Sequence, residues 1–220
     1  MTDFISGACV GITQTFVGHP FDTTVVLIQN KKKWFPHPIK RYYRGWRFPL
    51  VSASVFNFTV FPVYERSLEY TNSKIISGGV AGFCATPLLY FFEVGKILQQ
   101  TNQPLKISSF TKSKGFVSLL FRETIACSIY FSSYHYIKEK NDNPLIAGGL
   151  AGLINWGITY PLDVVKSRQI AQNISIKQAL SQKNFYKGFS ICATRAVIVN
   201  ALNFWTYETV KKYINGKIES

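Results

Sequence analysis

Six apolar stretches, near residues 4–28, 48–64, 75–92, 116–137, 145–162 and 189–210, alternate along this chain with short polar segments. Each is near the ~20 residues that an α-helix needs to cross a bilayer core of roughly 30 Å, so six membrane-spanning helices are expected. Several stretches carry polar residues, and the plain hydropathy signal is only moderate. The clearest runs from Ala147 to Arg168: it opens on Gly148 and Gly152, holds no ionised side chain from Leu145 to Leu162, and closes on Pro161, Asp163, Lys166 and Arg168. Its small residues at GxxxG spacing would let another helix pack closely. The expected helices are Asp3–Gln29, kinked at Pro20, then Gly45–Leu68, Lys74–Gln100, Gly115–Lys138, the Ala147–Arg168 stretch and Gly188–Tyr213, with a short surface helix over Ile176–Ser181.

The pattern repeats. Gly7, Gly11, Pro20 and Asp22 stand in one copy, Gly78, Gly82 and Glu93 in a second, and the acids Asp22, Glu93 and Asp163 are spaced by 71 and 70 residues. A period near seventy occurring three times reads as an internal triplication, with repeats over 1–72, 73–142 and 143–220. The expected fold is an all-α membrane protein, six transmembrane helices in a pseudo-threefold bundle built from three tandem repeats.

Charge adds a direction. The net charge is +14, and Lys31, Lys32, Lys33, Lys40, Arg41, Arg44, Lys106, Lys112, Lys114, Lys177, Lys183 and Lys187 all fall in the first, third and fifth connections, none of which contains an acid. Basic loops stay on the side from which the chain was not translocated. Because these runs alternate with apolar spans instead of lining a soluble face, a nucleic-acid partner is not expected. Cys9, Cys84, Cys127 and Cys192 lie inside apolar segments without metal-ligand spacing and read as buried small hydrophobes. His19, His37 and His135 are too scattered for a metal site, and no cofactor is expected. Asp3 precedes the first apolar run with no basic stretch before it, so no cleavable signal peptide is expected. Nucleophile–base constellations and phosphate-cradling loops are missing as well, which argues against an enzyme.

With these residues in view, the chain resembles the mitochondrial carrier family, whose signature is Pro-x-Asp/Glu-x-x-Lys/Arg, a loop, then an aromatic residue, a base and Gly. The third copy matches through Pro161, Asp163, Lys166, Tyr186, Lys187 and Gly188. The first keeps Pro20, Asp22, Tyr43, Arg44 and Gly45 but has Val25 at the base; the second keeps Glu93, Lys96, Lys114 and Gly115 but has Phe91 and Ser113 at the proline and aromatic positions. The resemblance implies a solute carrier of the mitochondrial inner membrane, basic loops in the matrix, monomeric, working by alternating access. The short loops and Lys/Asn-rich segments are in keeping with a compact parasite or giant-virus genome.

Three groups of intramembrane polar residues then become functional candidates, because charge there is costly. Asp22, Glu93, Asp163, Lys96 and Lys166 resemble the family's matrix gate, in which the acid of one repeat pairs with the base of the next; Asp163 would face Val25 and lack a ring partner. Glu65, His135, Glu208, Lys138 and Lys211 resemble the opposite gate, with Leu68 where one base is expected, and ordinary surface pairing is the alternative there. Between them, Ser52, Arg122 and Arg195 each lie seven residues beyond Gly45, Gly115 and Gly188 and so share one depth; Asn57, Cys127 and Asn200 lie five further on. With Glu123, these residues form the expected substrate site near the midplane, the alternative being a structural role for the two arginines and Glu123. Arg44, Lys114 and Lys187 with their glycines resemble cardiolipin sites, or else are snorkelling interface residues. Arg122 offers a fork for a carboxylate and Glu123 an anion for an ammonium or trimethylammonium group, pointing to a zwitterionic or cationic amino acid or a carnitine ester. The motifs Gly18-His19-Pro20-Phe21-Asp22, Arg122-Glu123, Asn155-Trp156 and Arg195 with Asn200 are similar to the carnitine/acylcarnitine and ornithine branch. A nucleotide or deoxynucleotide carrier and a degenerate, non-transporting scaffold stand as alternatives.

Overall fold

The computed structural model of the chain describes residues 2–35, 38–141 and 143–218. Among these, every regular element is helical: α1 (Thr2–Gln29), α2 (Ile39–Tyr42), α3 (Arg47–Thr71), α4 (Lys74–Gln100), α5 (Ile107–Lys112), α6 (Phe116–Lys140), α7 (Pro144–Gln172), α8 (Ile176–Ser181) and α9 (Phe189–Ile218). A long helix, a short helix and a long helix therefore follow one another three times. The short α5 was not expected from sequence. The outer ends of α3, α6 and α9 run two to five residues past their expected limits.

The same backbone features recur at the same places. Lys31, Asn102 and Asn173, just past the first long helix of each set, adopt left-handed φ of 55°, 61° and 50°. Gly45, Gly115 and Gly188, just before or at the start of the second long helix, take φ of 84°, 142° and 92°, a region side-chain-bearing residues avoid. Prolines sit inside α1, α4 and α7 at Pro20, Pro87 and Pro161, and a fourth, Pro62, inside α3. Each removes a helical hydrogen bond and favours a bend.

α3, α4, α6 and α7 pack side by side in that order, and α1 packs along α9, whereas α1 touches α3 only sparsely. Close backbone-to-backbone packing by small residues joins α4 to α6, and Gly95 of α4 separately admits the Phe48 ring of α3, 2.2 Å from where a Cβ would stand. A Cβ built on Gly82 would lie 2.4 Å from the Glu123 carbonyl oxygen, and one on Gly78 2.7 Å from that of Cys127, so α4 and α6 meet backbone to backbone. Gly11 and Gly152 have nothing within 4 Å, and Gly148 meets only the Tyr130 hydroxyl at 3.8 Å. The expectation that the GxxxG spacing of α7 seats a neighbouring helix is thus corrected: no helix closes on Gly148 or Gly152, and the adjacent Gly149 borders a groove beside Leu150, Leu153, Ala196 and Val197. Gly7 lies outside the described side chains.

Large apolar side chains cover the outside of the bundle, with Phe58 87% exposed and Phe83, Phe91, Ile158, Val197 and Trp205 all more than half exposed. Among the described residues one helix, α4, is long and apolar enough to cross a membrane by composition alone, with a mean hydropathy of 1.6 over 18 residues. Charged and amide side chains turned into the bundle dilute that signal in the others. Cys127 and Cys192 are buried as expected, but Cys84 is exposed on the apolar exterior; Cys9 lies outside the described side chains.

Candidate functional site

Asp22 two residues after Pro20, Asp163 two residues after Pro161 and Glu93 in α4 line one cavity of about 190 Å³, together with Lys96, Lys166, Arg122 and Arg195. Lys96 Nζ lies 3.1 Å from Asp22 Oδ2, and Lys166 Nζ lies 2.8 Å from Glu93 Oε2 and 2.8 Å from Asp163 Oδ1. Arg195 Nε stands 2.6 Å from Asp22 Oδ1, Arg122 Nη1 2.5 Å from Glu123 Oε1, and Arg122 Nε 3.9 Å from Asp163 Oδ1. Four acids and four bases thus form two sets of contacts beside one another, Lys96–Asp22–Arg195 across α1, α4 and α9, and Glu93–Lys166–Asp163–Arg122–Glu123 across α4, α6 and α7. The charges balance.

Asp163 is not without partners, contrary to the expectation. Besides Lys166 and Arg122 it accepts a hydrogen bond from Gln29 Nε2 at 3.2 Å. Val25, at the expected base position, instead packs with Tyr160, Val164 and Cys192 in a buried apolar cluster, and Gln29, one turn further along α1, supplies the polar contact. Here an amide replaces an ammonium.

Of the three residues expected at one depth, Arg122 and Arg195 line this same cavity, and Ser52 does not join them. Ser52 turns its hydroxyl back to the Pro49 carbonyl at 3.3 Å and borders none of the three cavities described here. Both arginines reach the acid ring, so their free charge is already neutralised. Asn57 does border open space: it lines a cavity of about 500 Å³ between α1 and α3 that ends on Asp22 and Arg195, and a second of about 210 Å³ that ends on Arg122 and Glu123. Glu123 is only 5% exposed. The Asn200 side chain lies outside the described residues.

Two contributors carried little sequence signal. Trp156 lies under Arg122, whose guanidinium carbon is 5.1 Å from its ring centroid, and holds the fork by cation–π attraction. Arg168 is fully buried with no acid among its partners: it donates to the carbonyls of Gln29 at 3.1 Å, Ala179 at 3.3 Å and Asn184 at 3.3 Å. It caps the end of α1 and ties it to the α8 segment.

The end bearing the basic loops is stitched further. Asn30 donates to Ser167 Oγ at 2.9 Å, Gln103 to the Ala171 carbonyl at 2.5 Å, and Lys32 to the Thr101 carbonyl at 2.9 Å. Burial, with the Arg41 guanidinium nearby, holds the Lys32 ammonium below its ordinary range. The opposite end is different. Glu65 and Lys138 are exposed and make no ion pair among the described residues; Lys138 lies 5.8 Å from the Tyr134 ring, and His135 sits between the rings of Tyr64 and Tyr134. The Glu208 and Lys211 side chains lie outside the described residues. Arg44, Lys114 and Lys187 are exposed beside their glycines; Arg44 bonds Asn102 Oδ1, and the Lys114 amide donates to Asn173 Oδ1 at 3.2 Å.

Residues 140–218 match the family model described as mitochondrial carrier protein. The mitochondrial basic amino acids transporter of Rattus norvegicus is 28% identical over 276 aligned positions, which take in 98% of this chain and 90% of that protein. The mitochondrial ornithine transporter 1 of Saccharomyces cerevisiae is 28% identical, covering 94% of each chain, and the mitochondrial carnitine/acylcarnitine carrier-like protein of Arabidopsis thaliana is 26% identical over 95% of this chain and 97% of its own. The alignments are longer than this chain, which is therefore the more compact sequence.

Proposed function

We propose, on the premise that this chain is a mitochondrial carrier family protein, that it exchanges a zwitterionic or cationic amino acid or a carnitine-type solute across the mitochondrial inner membrane by alternating access. Proteins of this family are transporters and not enzymes. The observation that carries the substrate reading is the charge balance of the central cluster: Asp22, Glu93, Glu123 and Asp163 against Lys96, Lys166, Arg122 and Arg195. A zwitterion with one carboxylate and one ammonium exchanges partners with Arg122 and Glu123 and leaves the cavity neutral, and a basic amino acid departs from that balance by a single positive charge. A nucleotide brings several negative charges to a site with no positive charge to spare. The names of the relatives, basic amino acid, ornithine and carnitine/acylcarnitine carriers, support the same class.

The mechanism follows from the asymmetry between the two ends. Asp22, Glu93, Asp163, Lys96 and Lys166 act as the gate on the matrix side, held shut by ion pairs, while Glu65, His135, Lys138, Glu208 and Lys211 form the opposite gate when the first one opens. Neither gate is strong enough to lock the cycle, because desolvation offsets most of what each buried pair gains. Three repeats over 1–72, 73–142 and 143–220 supply the six spans in pseudo-threefold order; the recurring long–short–long helices support this. Arg44–Gly45, Lys114–Gly115 and Lys187–Gly188 receive the phosphates of cardiolipin, and the carrier works as a monomer. The test is reconstitution in liposomes loaded in turn with lysine, ornithine, carnitine, S-adenosylmethionine, ADP and dATP. Uptake of one of the first four that requires internal counter-substrate is expected. Absence of any uptake in a folded, inserted protein would instead favour the non-transporting scaffold.

A further inference from the structure

One contact occurs in all three repeats and has no part in the gate chemistry. His19, Tyr90 and Tyr160 each stand three residues before a gate acid, Asp22, Glu93 and Asp163. His19 Nε2–H donates to the Arg44 carbonyl at 2.8 Å, the Tyr90 hydroxyl to the Ser113 carbonyl at 2.6 Å, and the Tyr160 hydroxyl to the Lys187 carbonyl at 3.1 Å. Those carbonyls lie one or two residues before Gly45, Gly115 and Gly188, where the chain turns into the second long helix of the repeat. The one-residue offset in the middle copy goes with the different φ of Gly115, 142° against 84° and 92°. His19 is 1% exposed and Tyr160 fully buried.

We propose that His19, Tyr90 and Tyr160 are positioning residues that fasten the second long helix of each repeat to the first, one turn before the gate acid, so that both helices of a repeat move together when the gate opens. The inference rests on the carrier reading given above. Its force is greatest where little else joins the two helices. α1 and α3 touch sparsely, and between α7 and α9 lies the open groove beside Gly149, Leu153 and Val197. In the middle repeat, α4 and α6 are already clamped by Gly78 and Gly82. The glycines also lean on the neighbouring repeat: a Cβ on Gly45 would lie 3.3 Å from the Lys96 carbonyl oxygen, and one on Gly188 3.4 Å from Ile28 Cγ2. Loss of a fastening leaves such a helix held by the neighbouring repeat, so that it no longer follows its own gate acid.

The test uses the full chain reconstituted in liposomes, with two readouts. Labelled ornithine exchange gives turnover and KM, and spin labels at Leu153 and Val197 give the α7–α9 distance distribution whether or not transport occurs. Tyr160→Phe, which removes one oxygen, is expected to lower turnover about fivefold, the worth of one hydrogen bond of ~1 kcal/mol, with KM within about twofold and a broadened distance distribution. Tyr90→Phe is expected to change turnover less than about threefold, because backbone packing holds that repeat. His19→Phe should lose turnover as Tyr160→Phe does, and His19→Tyr, the residue of the other two copies, should restore most of it. Unchanged distances and turnover in Tyr160→Phe would overturn the proposal, as would equal loss in His19→Tyr and His19→Phe with both proteins folded. If the wild-type protein exchanges nothing, the carrier reading fails while the distance measurement still decides this one.

Discussion

Replacing Lys166 with Gln tests the proposed gate. Lys166 holds Glu93 and Asp163 at 2.8 Å each, with 6% of its own side chain exposed. In the variant Asp163 keeps Gln29 and Arg122, but Glu93 loses the ammonium it faces. Leaving one member of a buried pair uncompensated costs ~3–5 kcal/mol; Glu93 retains 24% side-chain exposure, which puts the cost near the lower figure. At about 1.4 kcal/mol per tenfold, the closed arrangement loses roughly 100-fold in population against the alternative. Cys192 reports this directly, because it lines the cavity among the ion pairs. In protein whose other three cysteines are replaced, a membrane-impermeant thiol reagent added from the basic-loop side should label wild-type Cys192 slowly and the Lys166→Gln variant far faster. Arg66→Gln is the control, since the Arg66–Glu69 pair is 69% and 63% exposed and such pairs are worth ~0–1 kcal/mol. Labelling of Lys166→Gln at the rate of that control would refute the reasoning.

Charge reversal of Asp22 and Lys96 together should recover only part of the transport lost in either single reversal, because Arg195 also holds Asp22 and would face a lysine; full recovery would show that the Arg195 contact contributes nothing. Gly82→Leu should abolish correct assembly, whereas Gly152→Ala, with open space around it, should leave the detergent melting temperature within about 2 °C; the reverse order would refute the assigned α4–α6 packing. Arg168→Met should destabilise by ~2–4 kcal/mol, chiefly because the buried carbonyls of Gln29 and Ala179 lose this donor, read as a fall in melting temperature, and a neutral effect would contradict its capping role.

The helices were legible because long apolar blocks and prolines mark them directly, and α4 and α8 fall on the expected residues. Partner choice was only half legible. Lys96 and Lys166 meet Asp22 and Glu93 as the repeat period predicts, since equal spacing places equivalent groups at one level. Gln29 could not be ranked from sequence: an uncharged amide gives no signal until the fold places it beside Asp163. The partners of the two arginines were hidden for a related reason. Counting residues fixes the depth of a Cα, but an arginine side chain extends several ångströms, and the acids within that reach decide where its head settles. Arg168 looked like a helix-end residue, and Trp156 was legible only through the Asn155-Trp156 motif, which says nothing of the ring lying under Arg122. The GxxxG motif in α7 misled because small residues permit close packing without requiring it.

The most direct measurement of the central claim compares exchange of labelled ornithine and labelled ADP by wild-type protein and by Glu123→Gln in liposomes. The account predicts ornithine exchange in the wild type, its loss by about tenfold or more in Glu123→Gln, where the buried site lacks its ammonium partner, and no ADP exchange in either. ADP exchange that survives Glu123→Gln, with no amino acid or carnitine uptake, would contradict it.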